Sequence, residues 1–402
     1  MINQFKSVFT IEKDSNKMPD VPHGHITNLE HFIITTEGVQ KLLKRVNPAK
    51  AVGPDGIPNT VLKTCADTII APALTQIFQL SIDTGDLPND WRNANIAPVY
   101  KKSDRHAAEN YRPVSLTSVS SKLLEHIICK QLLDHLERHN ILTTLNHGFR
   151  SGYSCETQLA VTLHDLVTSF DKGKQTDVII LDFSKAFDTV PHKKLLHKLQ
   201  EYGISGPLHQ WLTNFLTKRE MRVVVDGVQS DSVYVDSGVP QGTVLGPILF
   251  LCHINDLPNS VQSQVRLFAD DCLLYRNINT PQDSEILQSD LKQLEQWATR
   301  WGMTFNAKKC YVMSVKQKYS HFYHLDNTIL ETVHQNPYLG VLLSDDLKWE
   351  PHITKMTSKA ASILGLLRRN LKACPQEIKK LAYITLVRSS LEYASPILQQ
   401  GH

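Results

Sequence analysis

No apolar run in this chain is long enough to span a bilayer. The longest, "VLGPILFLCHI", is interrupted by Gly246 and Pro247. The N-terminus, "MINQFKSVFTIEKDSNK", lacks the apolar core of a signal peptide, so no targeting signal is visible and no membrane partner is expected. The seven cysteines are odd in number and scattered, without a CxxC or a Cys/His group at zinc spacing. That argues against a disulfide framework and a zinc module, and for a reduced, intracellular protein. Internal repeats and low-complexity tracts are absent as well. Strong charge is also missing: the net charge of +3 names no partner by itself.

What remains is a composition of 41% hydrophobic and 21% charged residues, ordinary for a globular protein. The 402 residues suffice for two or three domains or one elaborated enzyme. Charge is uneven along the chain. Residues 348–393 hold nine Lys or Arg against three Glu and no Asp, a local excess of +6. Such a stripe is either a solvated helix face or a nucleic-acid or membrane surface.

Residues 1 to about 35 are weakly patterned and read as loosely ordered. "GPDG" at 53–56 is a turn between short helices, and 94–100 reads as a strand. The apolar spacing of Leu123, Leu124, Ile127, Ile128, Leu132, Leu133 and Leu136 predicts a helix, with a second over 155–172. "DVIILDF" is a continuous β-type run, followed by helical stretches from 192 to 216. Asp226-Gly227 is a strong hairpin signal. A buried helix at 245–256, a hairpin at "VRLFADDCLLY", a helix at 282–301 and strands near 303–315 and 322–343 follow. Amphipathic helices at about 350–373 and 376–394 close the chain. Strands mixed with helices in antiparallel order predict an α+β fold.

Three acids stand out. Asp182 leaves the buried run Val178 to Leu181, and Asp270 and Asp271 sit side by side between apolar strands. Taken singly, Asp182 reads equally well as a turn cap, and the pair as an exposed hairpin loop. Together they pose an electrostatic problem, since two carboxylates about 4 Å apart repel by roughly 4 kcal/mol at an effective dielectric near 20. Gathering them requires a raised pKa or a compensating cation. Hard divalent ions with oxygen ligands suit such a site, and Mg²⁺ keeps waters and substrate phosphates in its shell. A strand-end acid with hairpin acids is thus a reasonable phosphoryl-transfer site.

In this order and spacing, "LDFSKAFDTVPH", "SGVPQGTVLGPILF" and "FADD" resemble the reverse transcriptases of non-LTR, LINE-like retrotransposons. "GPDGIPNTVLK", "NYRPVSLTSVSSKLLEHII", "HGFRSGYSCETQL", "WGMTFNAKKC" and "YLGVLLSDDLKWEPHI" extend the match over roughly residues 40–398. The likeness is greatest to jockey-type and related invertebrate elements. It implies a right-hand polymerase of fingers, palm and partial thumb: a connector and fingers entry over 1–85, fingers and palm over 86–343, and a helical thumb over 344–402. It also implies an RNA-directed DNA polymerase that uses two Mg²⁺ ions, with Mn²⁺ as the alternative, an RNA template, a DNA primer or nicked target DNA, and dNTPs. Nuclear action follows by analogy alone.

The resemblance assigns roles as follows. Asp182 and Asp270 would hold both metals, Asp271 would assist, and the carbonyl of Phe183 would be a further ligand. Phe187, five residues after Asp182, would pack under the incoming sugar and reject a 2′-hydroxyl; without the motif it reads equally as a core aromatic. RNA-dependent RNA polymerases resemble Asp-x₄-Asp instead, and here Asp188 falls one residue too late. Gln241 would lie against the nascent base pair, with Gly238 and Gly242 allowing close backbone approach. Arg112 and one of Lys101 and Lys102 would hold the triphosphate, although singly each reads as a solvated cation. Lys309, three residues after Asn306, would protonate leaving pyrophosphate, an assignment that neighbouring Lys308 blurs. Gly340 of "YLGV" would let the backbone meet the primer. Ile353, Met356, Ala360, Ile363, Leu364 and Leu367 form an apolar stripe, with Lys355, Lys359, Arg368, Arg369 and Lys372 outside it to meet phosphates of a hybrid.

Against the family pattern, the chain is expected to begin inside a connecting segment without the upstream endonuclease. It is expected to end within or just after the thumb, as a truncated copy. Two rival readings remain: a maturase-like or telomerase-like polymerase, which would need RNA-binding extensions, and a folded, non-catalytic nucleic-acid-binding relic. The oligomeric state is not legible.

Overall fold

A computed structural model describes residues 1–10, 18–21, 26–29 and 31–398. It contains two compact units that interleave along the chain: Met1–Phe149, Phe183–Asn259 and Gln296–Thr304 in one, Arg150–Asp182, Ser260–Glu295 and Phe305–His402 in the other. Helices and mixed sheets make up both, which is the predicted α+β class. Among the described residues no helix is long and apolar enough to cross a membrane. All seven cysteines are free thiols.

In the first unit the predicted strand is Asn93–Tyr100. It runs antiparallel to Tyr111–Leu116 and parallel to Glu220–Val225. Asp226 and Gly227, at φ 49° and 81°, supply the two left-handed residues of a tight hairpin turn between Glu220–Val225 and Val228–Gln229. Leu245–Ile254 is buried along nearly its whole length, which explains why its sequence is apolar on every side. Of the N-terminal segment predicted to be loosely ordered, residues 11–17, 22–25 and 30 lie outside the described residues. Ile2–Lys6 is helical instead, because Phe5 is buried against Ala94, Ile96, Met221 and Val223.

A buried charge pair ties helices of this unit together. Lys198, wholly buried, donates to the Asp256 carboxylate and to the carbonyl of His253, and its Nζ lies 3.6 Å from the Trp301 ring centroid. Burial lowers its pKa to about 8 against the pull of Asp256. Asp256→Ala would strand an ammonium among aromatic rings, and should destabilise folding by about 3–5 kcal/mol in denaturant titration. Lys198→Met keeps the volume but leaves the buried Asp256 carboxylate unpaired, so it should be destabilising as well.

The second unit is built on a five-stranded sheet in the order Glu331–Thr332, Tyr311–Val315, Gln175–Leu181, Asp271–Ile278, Gln264–Phe268. Gln175–Leu181 pairs antiparallel on both sides, so it is interior to the sheet, and all its residues except Ile180 are buried. Its near-continuous apolar run follows from that position. The helix Cys155–Asp171, opened by a capping box of Ser154 and Thr157, lays Leu159, Leu163 and Leu166 into one core with Val178, Leu273 and Met313. Glu350–Asn370 is helical as predicted, but of its proposed apolar stripe only Ala360 is buried and Ile353 remains half exposed. The predicted helix at 376–394 is helical from Gln376 to Glu392, but it is not α throughout. It divides into Gln376–Ala382, a π-helical Tyr383–Arg388 and Ser389–Glu392. The wider π turn shifts the 3.6-residue periodicity from which a single helix was predicted.

Candidate active site

Asp182 follows Leu181, the last paired residue of the interior strand. Leu181 pairs with Cys272, so the next step of the register sets Asp182 beside Asp271. Phe268 pairs with Asp271 and leaves Ala269 and Asp270 as the two-residue turn. Ala269 holds φ 54° and is 4% exposed. A positive φ at the first central residue is the type II′ pattern, where glycine is favoured. An alanine there costs about 1–2 kcal/mol of strain, which the strand pairing on either side must offset.

The backbone of Asp182 is held from the segment "FNAKKC". Asn306 N–H donates to the Asp182 carbonyl at 2.8 Å, and Asp182 N–H donates to Cys310 Sγ at 3.4 Å. Burial pushes the Cys310 thiol up to about 11, so a neutral sulfur lies behind the acid. Sequence reasoning missed this thiol; its only signal was its place at the end of the Asn306–Lys309 motif. Asp182 Oδ2 is buried and has no hydrogen-bond partner, while Lys309 Nζ stands 3.4 Å from it. Lys309, expected from the resemblance to act on pyrophosphate, is thus placed against the acid itself.

Among the described residues, no three of His, Cys, Asp and Glu gather into a ready-made metal cage. What is present is a strand-end carboxylate whose buried Oδ2 makes no hydrogen bond and faces a lysine and, at the adjoining hairpin, two more acids. That donor set fits a hard ion such as Mg²⁺, which completes its octahedron with water and phosphate oxygens. Gly340, in the same unit, has φ 83°, and a Cβ there would lie 2.9 Å from the Tyr393 ring. The close approach it permits here is that of Tyr393, whose hydroxyl donates to the Leu339 carbonyl at 2.6 Å.

In the first unit, Phe187 is partly exposed on the short helix Ala186–Thr189. It stacks on Phe250 with centroids 4.4 Å apart, and meets Phe149 edge-on at 6.4 Å. Phe183 is buried. The loop carrying Gln241 is pressed onto this helix. Val239 N–H donates to the Phe187 carbonyl at 2.7 Å, and a Cβ on Gly238 would lie 2.7 Å from the Asp188 carbonyl. Gly242 makes the matching approach on the other side, where a Cβ would lie 2.9 Å from the Ser115 carbonyl. Both predicted close approaches are thus between protein backbones. The Gln241 amide donates to Asp188 Oδ1 at 2.9 Å. Arg112, Lys101 and Lys102 are exposed. Arg112 lies on Tyr111–Leu116, paired with Val99, and the two lysines begin the loop after Tyr100.

Two further buried groups fix this loop, and neither was singled out from the sequence. Glu125, fully buried in the helix Val119–Arg138, accepts from Val244 and Leu245 N–H at 2.7 and 3.1 Å, at the start of the helix that follows the loop. Burial raises its pKa, and those two donors oppose the rise. His192 donates through Nε2 to the Gly238 carbonyl at 2.8 Å, and burial lowers its pKa to about 4. A base depressed on folding gives stability that is complete above its unfolded value near 6.5 and is lost as pH falls towards 4. The loss should approach about 3 kcal/mol. Unfolding midpoints measured from pH 7 to 4 should fall less steeply in His192→Gln.

A mixed sheet that ends one interior strand on an acid, beside a hairpin tipped by two more, defines a palm-type polymerase domain. Residues 99–343 match the reverse transcriptase (RNA-dependent DNA polymerase) family, and the chain belongs to that family. It is 28% identical over 335 residues to the RNA-directed DNA polymerase from mobile element jockey of Drosophila funebris. It is 28% identical over 349 residues to the probable RNA-directed DNA polymerase from transposon BS of Drosophila melanogaster. These alignments cover 80% and 83% of this chain but only 36% and 38% of those relatives. The resemblance to jockey-type non-LTR retrotransposon polymerases is borne out.

Proposed function

We propose that this chain is the polymerase portion of a non-LTR element, an RNA-directed DNA polymerase that extends a primer 3′-hydroxyl with dNTPs on an RNA template. The observation that carries this reading is Asp182 at its strand end, one register step from the hairpin acids, with a buried carboxylate oxygen that makes no hydrogen bond and faces the Lys309 ammonium. Asp182 and Asp270, with the Phe183 carbonyl, are the residues that would hold two Mg²⁺ ions, or Mn²⁺, and Asp271 supports them. Bound there, the ions would lower the pKa of the attacking hydroxyl and stabilise the charge on leaving pyrophosphate. Lys309 would return a proton to the pyrophosphate. Phe187 would exclude the 2′-hydroxyl, Gln241 and Gly242 would border the nascent pair, and Arg112 with Lys101 or Lys102 would bind the triphosphate. Gly340 would border the primer. In hand terms, 86–343 would be fingers and palm and 344–402 thumb. Action in the nucleus, on nicked target DNA, would follow for the whole element.

A second reading is a nucleic-acid-binding relic without turnover. Extension of a DNA primer on an RNA template by the purified chain with Mg²⁺ separates the two. Incorporation supports the polymerase. Tight hybrid binding without incorporation supports the relic.

A further inference from the structure

The Asp188 carboxylate faces Gln241, and the two segments that carry these side chains are locked together by their main chains. Ser237 Oγ donates to the Asp188 carbonyl at 2.8 Å, Gly238 N–H donates to the Val190 carbonyl at 2.8 Å, and Val239 N–H donates to the Phe187 carbonyl. The backbone of Gln241 is fixed too, since its carbonyl accepts from Ser115 N–H at 2.8 Å. With both backbones held, the Asp188 side chain is not needed to join the segments. What it does control is the Gln241 amide.

An amide has two ends of nearly equal shape, one that donates and one that accepts. An ionised carboxylate only accepts, so it admits the –NH₂ end and turns the Gln241 carbonyl oxygen away. We propose that Asp188 is a positioning residue for nucleotide recognition, acting by fixing which end of the Gln241 amide is presented to the substrate. This rests on the reading of Gln241 as a contact of the nascent base pair. Burial raises the Asp188 pKa to about 6, opposed by Lys185 and by the Gln241 hydrogen bond, so the group is ionised at neutral pH. A side chain that served packing alone would not need that charge, because an asparagine of the same shape would fill the space. Asparagine, however, can offer either its oxygen or its nitrogen, and would let the amide adopt both orientations.

The test is a double-mutant cycle in primer extension, reading KM for dNTP and kcat for the unmutated chain, Asp188→Asn, Gln241→Ala and the double variant. Gln241→Ala should raise KM about tenfold. Asp188→Asn should raise it about three- to fivefold with kcat changed less, and the double variant should be no worse than Gln241→Ala alone. Multiplying effects, or an unchanged KM in Asp188→Asn while Gln241→Ala raises it, would overturn the proposal and leave Gln241 as a contact. An unchanged KM in Gln241→Ala would remove the reading itself, and the proposal with it. A readout independent of turnover is the side-chain ¹H–¹⁵N pair that disappears in Gln241→Ala. That pair should be shifted and protected in the unmutated chain and should lose its protection in Asp188→Asn. Unaltered protection would count against the tether.

Discussion

Replacing Asp182 or Asp270 by Asn should reduce dNTP incorporation by at least about a thousandfold, with binding of an RNA–DNA hybrid retained. Loss of one group that stabilises transition-state charge commonly costs about 10²–10³ in rate, and here the charge of a metal ligand is lost as well. Asparagine preserves the shape of the side chain. The contacts from Asn306 and Cys310 use the Asp182 main chain, so they survive the change. The ion pair given up with Lys309 is half exposed and contributes little stability. Asp270 lies in a turn, where asparagine is well tolerated. Primer extension and filter binding on the same preparations measure both quantities. Full activity in both variants would sink the metal assignment.

Phe187→Ala should admit ribonucleotides, with discrimination of dNTP over NTP falling on the order of 10- to 100-fold. Excluding a small group by steric overlap is worth about 1–3 kcal/mol, which sets that scale. The ring is held flat against Phe250 and edge-on to Phe149, so it cannot swing aside to accept a hydroxyl without breaking an aromatic contact. Truncation removes the obstacle and leaves Phe250 beneath it. The ratio of kcat/KM for matched dNTP and NTP is the measurement. An unchanged ratio would show that Phe187 is only a packed aromatic.

The interior strand Gln175–Leu181, the hairpin around Asp270 and Asp271 and the helix Cys155–Asp171 were all legible, because each carries a strong local signal. Those signals are, in turn, a continuous apolar run, turn residues between strands, and an amphipathic period. The N-terminal helix was not legible: Ile2–Lys6 is short and becomes ordered only by burying Phe5 in a core assembled from residues 94 to 223. The π-helical stretch at Tyr383–Arg388 was hidden for the opposite reason, since its apolar spacing reads as ordinary α-helix.

The same division runs through the candidate site. Asp182, Asp270 and Asp271 were singled out from residue type and order, which the chain states directly, and Phe187 and Gln241 from the family resemblance. Tertiary structure alone decided that Cys310 lies behind Asp182, that Lys309 stands against its carboxylate, and that Glu125 and His192 anchor the loop beside Phe187. The Glu125 and Cys310 contacts join positions more than a hundred residues apart, and His192 reaches a loop some forty-six residues on. No local pattern marks such partners. They are selected by burial, which leaves a carboxylate, an imidazole or a thiol stable only where the fold supplies its hydrogen-bonding partner.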